Sequence, residues 1–232
     1  MQISENIAKI EERIQSACSR SGRNRGEITF MGVTKFVPVN LIEEAYRAGV
    51  RCFGESRVKE AAEKFTGFKI DHCNARLHMI GSLQRNKAKQ AAVLFDCIQS
   101  ADRLELIEEL AKHSSVRAQP LEILLELHTG EETKSGFTSL NELFKAAEII
   151  IKAEKLKPAG LMTMAPFTDD ADLIRSSFRQ LVTAQKELVK HFMFSENEGN
   201  WNCLSMGMSN DFEIAVEEGA TLLRIGSAIF KE

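Results

Sequence analysis

The sequence predicts an α/β fold, a (β/α)8 TIM barrel forming a single domain over residues 1–232, with an extra helix at its N-terminus. Three observations predict it. Eight short apolar runs alternate with amphipathic stretches from one end of the chain to the other. The length of 232 residues fits one α/β barrel or two small domains and does not decide alone, but eight such units in this length indicate the barrel. No GxGxxG follows any of the runs, although an open doubly wound sheet binding a dinucleotide would carry one.

Taken in order, Ile3, Ile7, Ile10, Ile14 and Ala17 recur at helical spacing, and Gly22 offers a stop. Residues 28–36 are apolar and β-branched until Lys35, as expected of a strand buried on both faces in a parallel sheet. Pro38 opens a helix to Ala48, with Gly49 just past its end. Residues 50–55 read as the second strand, followed by a helix over 58–65. The third, 77–81, is followed by a short helix over 86–92. Residues 94–99 are expected as the fourth strand, with Ser100 capping a helix that turns Leu104, Ile107 and Ala111 inward. Residues 121–127 form the fifth. Ser139 and Glu142 make a capping box, and Leu140, Leu143, Phe144, Ala147 and Ile151 fill one stripe of the helix after it. The sixth strand is 160–164, and the amphipathic stretch 172–190 runs through Leu173, Ile174, Phe178 and Leu181. Residues 195–200 read as a polar loop, and 202–206 as the seventh strand. Asn210 with Glu213 is expected to cap a short helix, and 222–225 is the eighth strand. Little chain follows, so the N-terminal helix is expected to cover the gap left by a missing outer helix.

A net charge of −3 and the lack of a long basic run argue against a nucleic-acid surface. Five cysteines, at 18, 52, 73, 97 and 203, form no CxxC pair. Three fall in expected strands, where they serve as small core hydrophobes, and a reducing cytosol suits them. Glu5, Lys9, Glu11 and Glu12 stand where a signal core would be apolar, and no run is long enough to span a bilayer. The expectation is a cytoplasmic protein with no membrane or nucleic-acid partner and no metal site.

Barrel sites form at the C-terminal ends of the strands, with phosphate commonly held after strands seven and eight. Lys35 ends the first strand there, and an amine partly desolvated at that mouth becomes a nucleophile toward carbonyls, as in Schiff-base chemistry. The two expected phosphate loops, 206–210 and 225–227, each pair a small residue with a hydroxyl: Gly207 with Ser209, and Gly226 with Ser227. The short helix at Asn210 turns its N-terminus to the same side, which favours an anion. The same residues also suit plain turns and caps. A ligand with both an aldehyde and a phosphate fits, and pyridoxal 5′-phosphate (PLP) is one. Arg224, beside the second loop, would keep a ring nitrogen that faces it unprotonated, because two like charges oppose each other. An ion pair with a glutamate is the other use of such an arginine.

Several blocks are then familiar. Val33-Thr34-Lys35, Phe53-Gly54-Glu55, His78-Met79-Ile80-Gly81 with Leu83-Gln84-Arg85-Asn86-Lys87, and Lys134-Ser135-Gly136 come first. Gly160-Leu161-Met162-Thr163-Met164, Leu204-Ser205-Met206-Gly207-Met208-Ser209-Asn210-Asp211 and Arg224-Ile225-Gly226-Ser227-Ala228-Ile229-Phe230 follow in order. Together they resemble the YggS/PROSC family of single-domain pyridoxal phosphate homeostasis proteins. The resemblance implies a barrel like the N-terminal domain of alanine racemase, with PLP as cofactor. By it, Lys35 would form the internal aldimine, Ser209, Gly226 and Ser227 would hold phosphate, and Arg224 would face the pyridine nitrogen. Ser56, His78, Ser205 and Met206 complete the candidate cofactor-binding set. Two positions depart from the family: Ser56 stands where asparagine is usual, and Ser82 where histidine often follows the glycine.

Likeness of fold does not supply racemase chemistry, which needs a second acid/base on the face of the cofactor opposite the lysine. In alanine racemase this is a tyrosine from a second domain, for which this chain has no room. Its one tyrosine, Tyr46, lies in the helix after strand one. His78 and Cys203 are the remaining candidates, with His78 expected as a hydrogen-bonded core residue. Three readings stay open. The leading one is a PLP carrier or buffer with little or no turnover, exchanging with amino acids or PLP-dependent apoenzymes. The second is a PLP-dependent racemase or lyase, and the third a Schiff-base aldolase acting on a sugar phosphate without cofactor.

Overall fold

Eight parallel strands close on one another in sequence order. They are β1 (Thr29–Val33), β2 (Cys52–Glu55), β3 (Arg76–Met79), β4 (Cys97–Ala101), β5 (Leu121–Glu126), β6 (Leu156–Met162), β7 (Cys203–Ser205) and β8 (Leu222–Ile225). Around them lie α1 (Gln2–Ser21), α2 (Val39–Arg47), α3 (Val58–Asp71), α4 (Ala88–Leu94), α5 (Leu104–Ser114), α6 (Leu140–Lys152), α7 (Ala171–Phe192), α8 (Phe212–Glu217) and α9 (Ser227–Phe230). This computed structural model describes residues 2–130, 135–192 and 201–231. Lys134 and the expected loop 195–200 lie outside the described residues.

Closure falls between β8 and β1, in a register that sets Thr29 against Leu222 and Met31 against Arg224. α9 is one turn long, so the outside of this seam needs another cover. α1 supplies it, packing on α8, α9 and α2 and burying Ile3, Ile7, Ile10 and Ile14. Burial of each isoleucine contributes roughly 1.5–3 kcal/mol. Arg13 and Arg20 of α1 then bind Glu213, and Arg20 also binds Glu217, on α8.

Side-chain alternation sorts the wall into two faces. Phe53 of β2 packs outward on Phe65 and Phe68 of α3. Its neighbour Cys52 therefore points inward, where it clusters with Met31 and Leu222. Cys97, Leu124 and Met162 form a second interior cluster. Burial pushes the Cys52 thiol up to about 12 and that of Cys203 up to about 11, consistent with small core hydrophobes.

Several boundaries differ from the expectations. β1 is exposed at Thr29 and half-buried at Phe30, so only its C-terminal half is enclosed. Leu94 ends α4, and β4 starts at Cys97. Between them the Asp96 carboxylate accepts from the Leu77 amide and from Lys69, which fixes a turn there. Ser100 caps nothing: it is buried within β4, and its hydroxyl donates to the Gly81 carbonyl at 2.6 Å. Leu140 and Ile151 are exposed, because α6 is rotated to bury Leu143, Ala146, Ala147 and Ile150. Leu173 is likewise exposed. Asn210 is an exposed turn residue, not a cap, and Asp211 precedes α8 with its carboxylate accepting from the Met208 amide. Glu213 is drawn away to α1 by Arg13 and Arg20.

Candidate functional site

β1 ends at Val33, and Thr34 is buried with its amide donating to the Gly54 carbonyl at 2.9 Å. Lys35 and Phe36 form the turn that follows. Lys35 is exposed, against the expectation of a partly desolvated amine at a strand end: the strand stops at Val33, and Lys35 lies in the turn beyond it.

The turn opens on a cleft of about 1360 Å³ at the C-terminal mouth of the barrel. Lys35, Ser56, Ser209, Arg224, Gly226 and Ser227 all line it. The two loops are tied together, since the Ala228 amide donates to Ser209 Oγ at 3.3 Å and the Arg224 amide to the Gly207 carbonyl at 2.9 Å. Ser209 Oγ thus accepts one bond and keeps its own proton to donate. Gly207 has a reason other than closeness to an anion. It sits at φ +90°, and a Cβ there would meet Ala215 Cβ at 2.5 Å. Gly226 is the glycine of the pair that faces the cleft.

His78, Ser205 and Met206 are buried and do not line the cleft. Two of them form a polar chain across the barrel interior. Arg224 Nη1 donates to Ser205 Oγ at 2.8 Å, and Ser205 Oγ to Gln99 Oε1 at 2.6 Å. Gln99 Nε2 then donates to His78 Nδ1 at 2.8 Å. A second Arg224 nitrogen donates to the Thr163 carbonyl at 2.8 Å. Arg224 is only 4% exposed, and burial lowers its pKa to about 10 while leaving it a cation at neutral pH.

The position of His78 gives a test of its own. Burial pushes its imidazole down to about 3 from an ordinary 6.5, so it is neutral in the folded barrel. As pH falls below about 6.5 the unfolded chain takes up a proton that the folded chain refuses, and stability is lost. At about 1.4 kcal/mol per pH unit, the loss reaches several kcal/mol near pH 3. His78→Gln, whose side-chain carbonyl can still accept from Gln99, is expected to flatten that part of the profile in urea denaturation. An unchanged slope between pH 6 and 4 would assign the acid sensitivity elsewhere.

Four cleft residues were not anticipated. Glu126 ends β5, is 3% exposed, and accepts from Ser135 Oγ at 3.3 Å. Burial, reinforced by the charge of Asp102, raises its pKa to about 7. Of the two glutamates of β5, Glu122 is only half-buried, and the signal that marks Glu126 is an acid directly following the apolar run Ile123-Leu124-Leu125 at the C-terminal end of the strand. Lys231 is a second lysine lining the cleft, and Phe36 and Phe167 give it an exposed aromatic rim. Thr129, at the start of the loop 129–137, is pinned through its hydroxyl to Thr163 and Ser177. The far end of that loop returns to β5, where the Phe137 amide donates to the Glu126 carbonyl at 2.8 Å and the Phe137 carbonyl accepts from the His128 amide at 2.9 Å.

The family described as alanine racemase, N-terminal domain, matches residues 5–232. The pyridoxal phosphate homeostasis protein of Aquifex aeolicus is 37% identical over 235 residues, covering 100% of this chain and 99% of that one. The chain belongs to the pyridoxal phosphate homeostasis protein family. A solved structure in the same range is PipY of Synechococcus elongatus with PLP bound, 31% identical with a TM-score of 0.83 over 99% of this chain and 100% of that one. A histidine racemase from Leuconostoc mesenteroides has a TM-score of 0.73 at 16% identity, a likeness of fold alone. This chain covers 57% of that racemase. Among the described residues no helix is long and apolar enough to cross a membrane.

Proposed function

We propose that this chain binds PLP at the C-terminal mouth of its barrel, holds it covalently through Lys35, and acts in PLP homeostasis as a carrier or buffer with little turnover. The observation that carries the reading is the convergence of Lys35, Arg224 and the two serine loops on one cleft. The bound PLP of a 31% identical structure supports the choice of ligand over a sugar phosphate. When bound, PLP supplies an aldehyde that condenses reversibly with an amine, and a phosphate that fixes its orientation. Ser209 and Ser227 donate to the phosphate, and Gly226 leaves room for it. Arg224, held by Ser205 and Thr163, faces the ring nitrogen and keeps a proton off it. Exposed Lys35 is open to water, which suits release as well as capture. Ser56 stands at the cleft wall where the family's asparagine would reach further. Borohydride reduction after loading with PLP, followed by peptide mapping, should put the added mass on the peptide containing Lys35. Mass found only on Lys87 or Lys134 would sink the reading.

The phosphate half is tested separately. Ser227→Ala removes one charge-assisted hydrogen bond, worth about 1.5–3 kcal/mol, and should weaken PLP roughly tenfold or more. Pyridoxal without its phosphate should bind the wild type much more weakly than PLP. Equal affinity for the two would show that these loops hold no anion.

A second reading, turnover on amino acids as a racemase or lyase, is favoured by one observation. Tyr46 donates its hydroxyl to Asn74, His78 is neutral and buried, and neither lines the cleft, but Glu126 lines it with a pKa near 7. A carboxyl of that kind can hold or move a proton at neutral pH. Incubation with L-amino acids in deuterated water, followed by NMR of the α-proton, separates the readings. Exchange at the rate of an ordinary racemase, lost in Glu126→Gln, would promote the enzyme over the carrier. The amino acids and apoenzymes that exchange with the carrier, its cytoplasmic location, and the extent of the single domain over residues 1–232 belong to this same proposal.

A further inference from the structure

Three charged side chains that do not line the cleft are bonded to one another and to the turn that carries Lys35. Lys64, on α3, has a side chain only 12% exposed. Its ammonium donates to the Thr34 carbonyl at 2.8 Å, to Glu55 Oε1 at 3.1 Å and to Glu60 Oε1 at 2.6 Å. An ammonium has three protons, and all three are committed. Glu55, fully buried at the end of β2, also accepts from the Thr34 hydroxyl at 2.7 Å. Glu60 also accepts from the Phe36 amide at 2.7 Å. The residues on both sides of Lys35 are therefore gripped, Thr34 through its carbonyl and hydroxyl and Phe36 through its amide.

The grip coincides with the one non-glycine residue of positive φ among the described residues. Phe36 has φ +63°, in the left-handed region that L side chains rarely adopt. Its ring is 74% exposed, so packing does not hold it there. Two bonds do: the Val37 amide donates to the Thr34 carbonyl at 2.9 Å and closes the turn, and the Phe36 amide donates to Glu60. The α3 helix needs no such network to dock, since Phe65 and Phe68 already pack it on Phe53. Strained backbone of this kind is retained where the surroundings over-determine it, and it clusters at working sites.

We propose that Glu55, Glu60 and Lys64 are positioning residues that lock the turn carrying Lys35, so that its amine is presented to the aldehyde of PLP. The step they serve joins the lysine nitrogen to the aldehyde carbon and releases one water, with no other reactant. The proposal rests on the reading of Lys35 as the attachment point, and the test separates the two. Glu60→Ala and Lys64→Met are compared with the wild type in two titrations. One follows the borohydride-trapped fraction on Lys35 against PLP concentration. The other follows binding of pyridoxamine 5′-phosphate, which keeps ring and phosphate but has no aldehyde. Each variant should need about tenfold more PLP for half-maximal trapping, the worth of one charge-assisted hydrogen bond, while pyridoxamine 5′-phosphate binds as to wild type. Trapping unaltered in the variants, or both ligands weakened alike, would overturn the clamp. No trapping at Lys35 in the wild type would overturn the carrier reading and the clamp with it. Should Lys64→Met fail to fold, Glu60→Ala decides, because its side chain is 21% exposed on the first turns of a helix that alanine favours.

Discussion

Lys35→Ala is expected to abolish covalent capture of PLP, with no visible band on loading and no mass added by borohydride, while the protein melts as the wild type does. The two halves of this result have separate grounds. Loss of capture follows because the substitution removes the amine proposed as the attachment point, which lines the same cleft as Ser209 and Ser227. Unchanged melting follows because Lys35 is exposed in a turn and, among the described residues, no hydrogen bond of its side chain braces the barrel, so the change in stability should stay within about 0.5 kcal/mol. Residual PLP binding should persist, carried by Ser209, Ser227 and Arg224 without the covalent link. The informative failure concerns Lys231, the other lysine lining the cleft. If Lys35→Ala still traps PLP and Lys35→Ala with Lys231→Ala does not, the attachment point moves to the C-terminal end of the chain.

The barrel was legible because its strands are short, apolar and separated by strongly periodic helices. β8 was read at its true bounds from Leu222-Leu223-Arg224-Ile225, and α1 from its isoleucine spacing. The errors share one cause, which is that local signals were overruled by tertiary partners. Ser100 has the side chain of a helix cap, but burial in β4 sends its hydroxyl to Gly81. Glu213 has the spacing of a capping box with Asn210, but two arginines of α1 hold it instead. Leu140 and Ile151 fit an apolar stripe on paper, and the rotation of α6 leaves them in water.

At the site, what can be read from motifs is which residues gather, because barrel topology brings strand ends together whatever the spacing between them. What each side chain does there depends on contacts that no spacing encodes. Arg224 could have been one half of an ion pair, and the structure shows its nitrogens on Ser205 and Thr163. Gln99 carried no signal beyond being polar in an apolar strand, yet it joins His78 to Ser205 across the barrel. The Lys64 network was equally silent in the sequence, since Glu60 and Lys64 have only the i,i+4 spacing that any helix surface offers.

Arg224→Glu is expected to cost about 3–5 kcal/mol of stability, the usual consequence of removing one partner from a buried charged network. For a chain of this size that corresponds to a fall in melting temperature of roughly 6–20 °C. The reason lies in what the guanidinium now satisfies. Thr163 presents a carbonyl oxygen to it, and Ser205 has already given its proton to Gln99. A glutamate at 224 would set its oxygens against these acceptors, and near Glu126, whose carboxyl is kept close to neutral partly by desolvation and whose ionised form Arg224 favours. The new carboxyl would have to take up a proton to remain buried. Charge reversal is otherwise the direct way to ask whether Arg224 holds a proton off the ring nitrogen, since a glutamate there would favour a protonated ring and faster α-proton exchange. The cost to the fold therefore has to be measured first, by thermal melting with and without PLP. Melting within about 2 °C of wild type would mean that the guanidinium contributes under 1 kcal/mol to the barrel, and the exchange rate of Arg224→Glu could then be read as chemistry alone.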